Sequence, residues 1–150
     1  MNSLIKPEYE TLIFRFRGFK VMVDADLAIL YGVSTKVLKQ KVKRNIAYAL
    51  NRIGDKEYLA PYKTELIVLS SSSDPFTRMW TFSAIGKLQD TANIDYLIAS
   101  LDKEEDWRVR VNICNALGST LPDLNSPLND KVTDALLHYA SEDASIHVSI

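Results

Sequence analysis

Between Thr35 and Arg44 the chain concentrates groups that contact phosphates or read base edges. Lys36, Lys39, Lys43 and Arg44 are cations, Gln40 is an amide and Thr35 a hydroxyl. Cations position a protein on the DNA backbone, while amides and hydroxyls can hydrogen-bond base edges in the major groove. On a helical wheel with Leu38 at 0°, Lys39, Lys43, Lys36, Gln40 and Arg44 span roughly 100–240°. Val42, Ala49, Ile53 and Ile46 fall within roughly 80° of Leu38 on the other side. The expected arrangement is an apolar stripe facing inward and a cationic face available to DNA. An ordinary solvated, lysine-rich helix face is the competing reading.

A second group sits further along. Phe76 and Trp80 are one helical turn apart, and Trp80 and Ser83 align with Asn112 and Asn115 at an offset of 32 residues. These positions lie off the apolar positions that the two segments share. Two readings stand: an exposed aromatic pair that binds a protein, with Ser83, Asn112 and Asn115 around it, or a Trp80 packed under the neighbouring helix.

Catalytic chemistry finds no comparable constellation. His138 and His147, nine residues apart, are the only histidines, and no Cys or His stands at metal spacing. Neither a G-x-x-x-x-G-K-[ST] nor a G-x-G-x-x-G phosphate loop occurs. Cys114 falls beside Ile113 and Leu117 and is read as a core thiol. Glu104-Glu105-Asp106 reads as a solvated turn and Ser70–Ser73 as a flexible one. The expectations are no catalytic residue, no metal, no cofactor and no small-molecule substrate.

Local signals predict the elements that position these groups. Asp26–Tyr31 reads as a first helix, with acids at its positive end. Gly32 supplies a left-handed turn, and Ser34 or Thr35 caps a second helix. Ala28 is small where the helices would cross, and Leu27, Val33 and Leu38 supply apolar contacts. Helix, short Gly turn and capped second helix make the DNA-binding helix-turn-helix pattern. The second helix is expected to run on from Thr35 to about Arg52.

Beyond it the sequence repeats. Asp74-Pro-Phe-Thr-Arg-Met-Trp-Thr-Phe-Ser-Ala-Ile-Gly86 aligns with Asp106-Trp-Arg-Val-Arg-Val-Asn-Ile-Cys-Asn-Ala-Leu-Gly118. A third start at Asp143 follows an insertion in Leu121–Asp130, and a weaker copy lies around Ala49-Leu50 and Asp55. Asp74 and Asp106 are N-caps by residue type, and Pro75 suits the first helical position. Shorter amphipathic helices are expected at about Lys56–Ser70, Asn93–Leu101 and Asn129–Ala140. No such hairpin covers its own apolar face, so the units must stack.

The Asp…Arg…Ala-Ile/Leu-Gly pattern at 74–86 and 106–118 resembles HEAT-like repeats of the short bacterial type, over roughly residues 45–150. The resemblance implies an α-α solenoid in which Asp caps a helix, Arg78 and Arg110 join a polar ladder, and small residues allow close approach. The last repeat is expected to be truncated.

Arg17-Gly18-Phe19-Lys20-Val21-Met22, Asp24, Asp26-Leu27-Ala28, Leu30-Tyr31-Gly32-Val33, Thr35-Lys36, Leu38 and Val42-Lys43-Arg44-Asn45 carry another resemblance. This string is similar to the ORF6N domain of phage and bacterial proteins, over about residues 10–45. It implies a DNA-binding unit, with Ile13–Phe16 and Lys20–Val23 paired as a β-hairpin. After Asn45 the sequence departs from the family pattern and reads as helical repeat, so a half-domain is expected. That half either still binds DNA or is retained as an N-terminal cap on the repeats.

Charge follows the same division. Residues 1–54 carry 10 Lys+Arg and 4 Asp+Glu, a net +6, and residues 55–150 carry 8 and 15, a net −7. An acidic body repels a phosphate backbone, so any DNA contact belongs to the basic end. With 47% apolar and 25% charged residues, a disordered chain is excluded. One cysteine suits a reducing, cytoplasmic setting, and no apolar run is long enough for a membrane span.

The expected fold is mostly α, a HEAT-like superhelix over residues 46–150, entered through a hairpin and helix-turn-helix head over residues 1–45. The expected function is a non-catalytic scaffold presenting a protein-interaction surface. The alternative is a DNA-binding regulator acting through the head. A repeat protein with enzymatic activity is a third class, for which no residues are found.

Overall fold

The computed structural model describes residues 9–121 and 126–142. They are mostly helical, with one two-stranded antiparallel sheet near the N-terminus. The chain divides into two compact units, Met1–Val42 and Lys43–Ile150. The third repeat start at Asp143, with His147, lies outside the described residues, as does part of the expected insertion, residues 122–125.

In the first unit a 3-10 turn at Tyr9–Leu12 leads into β1 (Phe14–Phe16) and β2 (Phe19–Val21). The register pairs Phe14 with Val21, Arg15 with Lys20 and Phe16 with Phe19. Arg17 and Gly18 form the two-residue turn, at φ 50° and 84°, the sense that matches the right-handed twist of paired strands. The hairpin is shorter than the Ile13–Phe16 and Lys20–Val23 pairing implied by resemblance.

Helix α1 spans Asp24–Leu30, two residues earlier than read from the sequence, with Asp24 and Asp26 in its first turn. It ends in a Schellman arrangement: Gly32 N–H donates to the Ile29 carbonyl and Val33 N–H to the Ala28 carbonyl, each at 3.0 Å. Gly32 adopts φ +62°, the conformation that closes this motif without Cβ strain. Ser34 Oγ then accepts from Val37 N–H at 3.3 Å, capping α2 (Thr35–Ile53). Ala28 is buried, as its small side chain suggests.

In the second unit the remainder of α2 is followed by α3 (Lys56–Leu59), a 3-10 turn (Ala60–Tyr62) and α4 (Lys63–Leu69). The single helix expected over Lys56–Ser70 is broken there. Pro61 has no N–H to continue an α-helical ladder, and its ring would meet the carbonyl four residues back. Then come α5 (Pro75–Lys87), α6 (Ile94–Leu101), α7 (Trp107–Ser119) and α8 (Pro127–Glu142).

The N-caps fall where residue type placed them. Asp74 accepts from Thr77 N–H at 3.0 Å and Asp106 from Arg108 N–H at 3.0 Å. Helix α5 packs most extensively on α7, with α4 and α3 also against α5, and α6 and α8 against α7. The shared core holds Leu59, Leu66, Phe82, Ile85, Leu97 and Leu117 among its buried side chains, with Cys114 packed at its margin.

Candidate functional site

The docked face of α2 is not the one expected. Ala47 and Asn51 are the buried residues of the helix, and Arg44 is half-buried beside them. Val42, Ile46, Ala49 and Ile53, expected as the inward stripe, are exposed. The reason lies in specific polar partners on α5 and at its start. Arg44 Nε and Nη2 donate to the two Asp74 oxygens at 2.9 and 2.6 Å. Ser83 Oγ donates to Asn51 Oδ1 at 2.9 Å, and Lys87 Nζ donates to the Asn51 carbonyl. Ala47, between these contacts, is fully buried.

The six residues read as DNA-contacting are therefore not equivalent. Lys36, Lys39 and Lys43 are exposed. Lys39 lies 3.3 Å from Asp24, both side chains mostly in water, so the pair holds them only weakly. Thr35 and Gln40 are half-buried. Arg44 is engaged with Asp74, which is 3% exposed. Burial pushes the Asp74 carboxyl up, but hydrogen bonds from Arg44 and from the Thr77 hydroxyl and amide outweigh it and hold the carboxyl below the ordinary carboxylate range. Arg44 is raised in turn, chiefly by its hydrogen bond to Asp74.

The second group forms an ordered aromatic–cation surface over α2, α5 and α7. The Arg44 and Arg108 guanidinium carbons each stand 4.7 Å from the Phe76 ring centroid, and Phe76 keeps 38% of its surface exposed. Trp80 is half-buried and meets Tyr48 edge to face, with centroids 5.1 Å apart. Ser83 is engaged with Asn51, while Asn112 Nδ2 donates to the Arg108 carbonyl at 2.9 Å. Asn115 is exposed. Phe76 and Trp80 thus share this surface with Tyr48, Arg44 and Arg108, three residues that no spacing in the sequence groups with them.

Carboxylates orient the cations. Arg108 donates to both Asp106 oxygens, at 3.0 and 2.6 Å. That hydrogen bond is the main reason the Asp106 carboxyl is lowered to about 2. Arg78 donates to both Glu104 oxygens at 2.8 and 2.7 Å and to the Ser72 carbonyl at 2.8 Å. Arg110 donates to the carbonyls of Glu104 and Glu105 at 3.3 and 2.8 Å. Arg78 and Arg110 therefore tie helix starts to the turn at 104–105.

A cleft of about 430 Å³ between α4, α5 and α6 is lined by Ser70, Arg78, Tyr96, Ser100 and Lys103 among others. Arg78 is committed to Glu104 and Ser72 there, and the Ser70 and Tyr96 hydroxyls bond each other. Among the described residues no group of His, Cys, Asp and Glu is arranged to hold a metal ion. No helix among them is long and apolar enough to cross a membrane.

The described chain is thus a mostly helical protein with a small antiparallel hairpin ahead of a Schellman-closed turn and a long capped helix. Residues 11–73 match the ORF6N domain family. The match runs beyond Asn45, where the motif-based resemblance ended, and takes in α3 and α4, so those helices belong to the matched region and are not a departure from it. No curated protein and no solved structure matches the chain.

Proposed function

We propose that this protein is a non-catalytic binding scaffold whose second unit presents the α2–α5–α7 surface to a protein partner. The observation that carries the reading is Phe76, partly exposed and held between Arg44 and Arg108, with Trp80 a turn further along. Arginine and aromatic side chains dominate binding hot spots, and here hydrogen bonds to Asp74 and Asp106 hold the two guanidiniums near the ring. The internal equivalence of 74–86 and 106–118, with Asp N-caps at the same place, supports a HEAT-like stacking of the helices.

The test compares proteins captured from a cytoplasmic extract by the intact chain and by Phe76→Ala and Trp80→Ala variants. Loss of a specific species with melting unchanged supports the surface. The same species retained by both variants excludes it.

A second reading rests on the ORF6N match and on Lys36, Lys39 and Lys43, exposed on a helix that follows a Gly turn. In it the cationic face of α2 docks on duplex DNA. Three phosphate-neutralising cations correspond to a log K against log[salt] slope of about −3. Fluorescence anisotropy with labelled duplex, on the intact chain and a Lys36/Lys39/Lys43→Ala variant, measures it. No binding at low salt rejects this reading.

A further inference from the structure

The side of α2 turned away from α5 carries Ile46, Ala49 and Ile53, spaced i, i+3, i+7 along one helix face. Ile46 is 46% exposed and Ile53 49%, and Ala49 is exposed between them. Lys43 stands at one edge of this stripe and Arg52 at the other, both exposed. Arg44, Ala47 and Asn51 lie on the opposite side of the helix, and Leu50, which packs against the core, borders the stripe beside Ile46.

An apolar stripe between two cationic edges fits one kind of occupant best. A phosphate backbone would meet the cations but leave the isoleucines facing a charged surface. A second α2 laid on the first would bring Lys43 and Arg52 against like charges. An amphipathic helix with carboxylates on both flanks covers the isoleucines and pairs the cations at once. We propose that this face of α2 receives an acidic amphipathic helix of a partner protein. The surface is separate from the Phe76–Trp80 face, and either can fail without the other.

The probe is a fluorescein-labelled synthetic helix of about 16 residues, with leucines at i, i+3 and i+7 and glutamates on both flanks. It is titrated against the intact chain by anisotropy, alongside a scrambled peptide of the same composition. The expected result is preferential binding of the patterned peptide. An Ile46→Gln/Ile53→Gln variant weakens it at least about tenfold, as expected when buried apolar contact is removed from a small interface. A Lys43→Gln/Arg52→Gln variant weakens it several-fold and flattens its salt dependence. Gln is helix-compatible and these positions are exposed, so thermal melting should stay cooperative and near that of the parent.

Equal binding of the scrambled peptide, or none at millimolar concentration, overturns the proposal. So does self-association of the parent chain, seen by sedimentation and abolished by Ile46→Gln/Ile53→Gln, which would assign the stripe to a second copy. Loss of duplex-DNA binding in the Lys43→Gln/Arg52→Gln variant, with peptide binding unchanged, would assign the edge to nucleic acid and also overturn it.

Discussion

Gly86 on α5 lies against Ala116 on α7 so closely that a Cβ at position 86 would fall 2.7 Å from the Ala116 Cα and 2.9 Å from its Cβ. Ser119 Oγ uses the same proximity to donate to the Gly86 carbonyl at 3.2 Å. Two helices of the core are thereby held at a separation that only glycine permits.

Replacing Gly86 by Ala should therefore destabilise the second unit. The obstacle is backbone, which cannot swing aside as a side chain would. A penalty of about 1–3 kcal/mol is expected for forcing in one methyl. Gly118 occupies the corresponding place in α7, yet a Cβ there meets nothing within 4 Å. Gly118→Ala should stabilise by about 0.5–1 kcal/mol through helix propensity. Urea denaturation of both variants measures the contrast, and equal effects would refute the close-approach account.

Arg44→Ala should weaken the contact between α2 and the start of α5. It removes the guanidinium that donates to both oxygens of a nearly fully buried Asp74. A loss of about 2 kcal/mol is expected, below the range for a fully buried pair because Arg44 itself reaches solvent. Burial would then act on Asp74 with less opposition and raise its carboxyl pKa, readable by carboxyl carbon NMR. An unchanged Asp74 titration would show that Arg44 is not what holds it down.

Acid should erode the helix-start carboxylates in a defined window. Asp106 titrates at about 2 in the folded protein, against about 3.9 for an unperturbed aspartate. A lowered folded pKa means the stabilisation is fully present above about pH 4 and is lost as pH falls towards 2. The difference in unfolding free energy between the parent and Asp106→Asn should be constant near neutrality and shrink below about pH 4. A gap that stays constant down to pH 2 would contradict the Arg108–Asp106 bond as its source.

Gln89 follows α5 at φ 49°, left-handed for a residue with a Cβ. Its N–H donates to the Gly86 carbonyl at 3.1 Å, so the conformation belongs to the helix C-cap. Gln89→Gly should relieve that strain at some entropic cost in the unfolded chain, a net gain of about 0.5 kcal/mol. A lower thermal midpoint would show that the glutamine side chain contributes contacts worth more than the strain.

Much of the local architecture is legible in the sequence. Asp74 and Asp106 read as N-caps because a carboxylate ahead of a helix has few better partners than free N–H groups. Gly32 and Ser34 marked the turn between α1 and α2 for the same local reasons. Pro61, with no N–H to donate, splits the single helix expected over Lys56–Ser70. The orientation of α2 was not legible. Its wheel shows an apolar arc and a cationic arc, and hydrophobicity favours burying the first. The helix instead docks through Arg44, Ala47 and Asn51, because Asp74 and Ser83 lie opposite them.

Sequence alone therefore determined what depends on neighbours along the chain: the N-caps at Asp74 and Asp106, the Gly32–Ser34 turn, the basic front and acidic remainder, and the ORF6N-type motif string. Only the tertiary structure decided which side of α2 packs, which cations stay exposed, and that Phe76 rests between Arg44 and Arg108. Caps and turns are set by hydrogen bonds a few residues apart. The face a helix buries depends on partners about 30 residues away, and no periodicity within the helix records them.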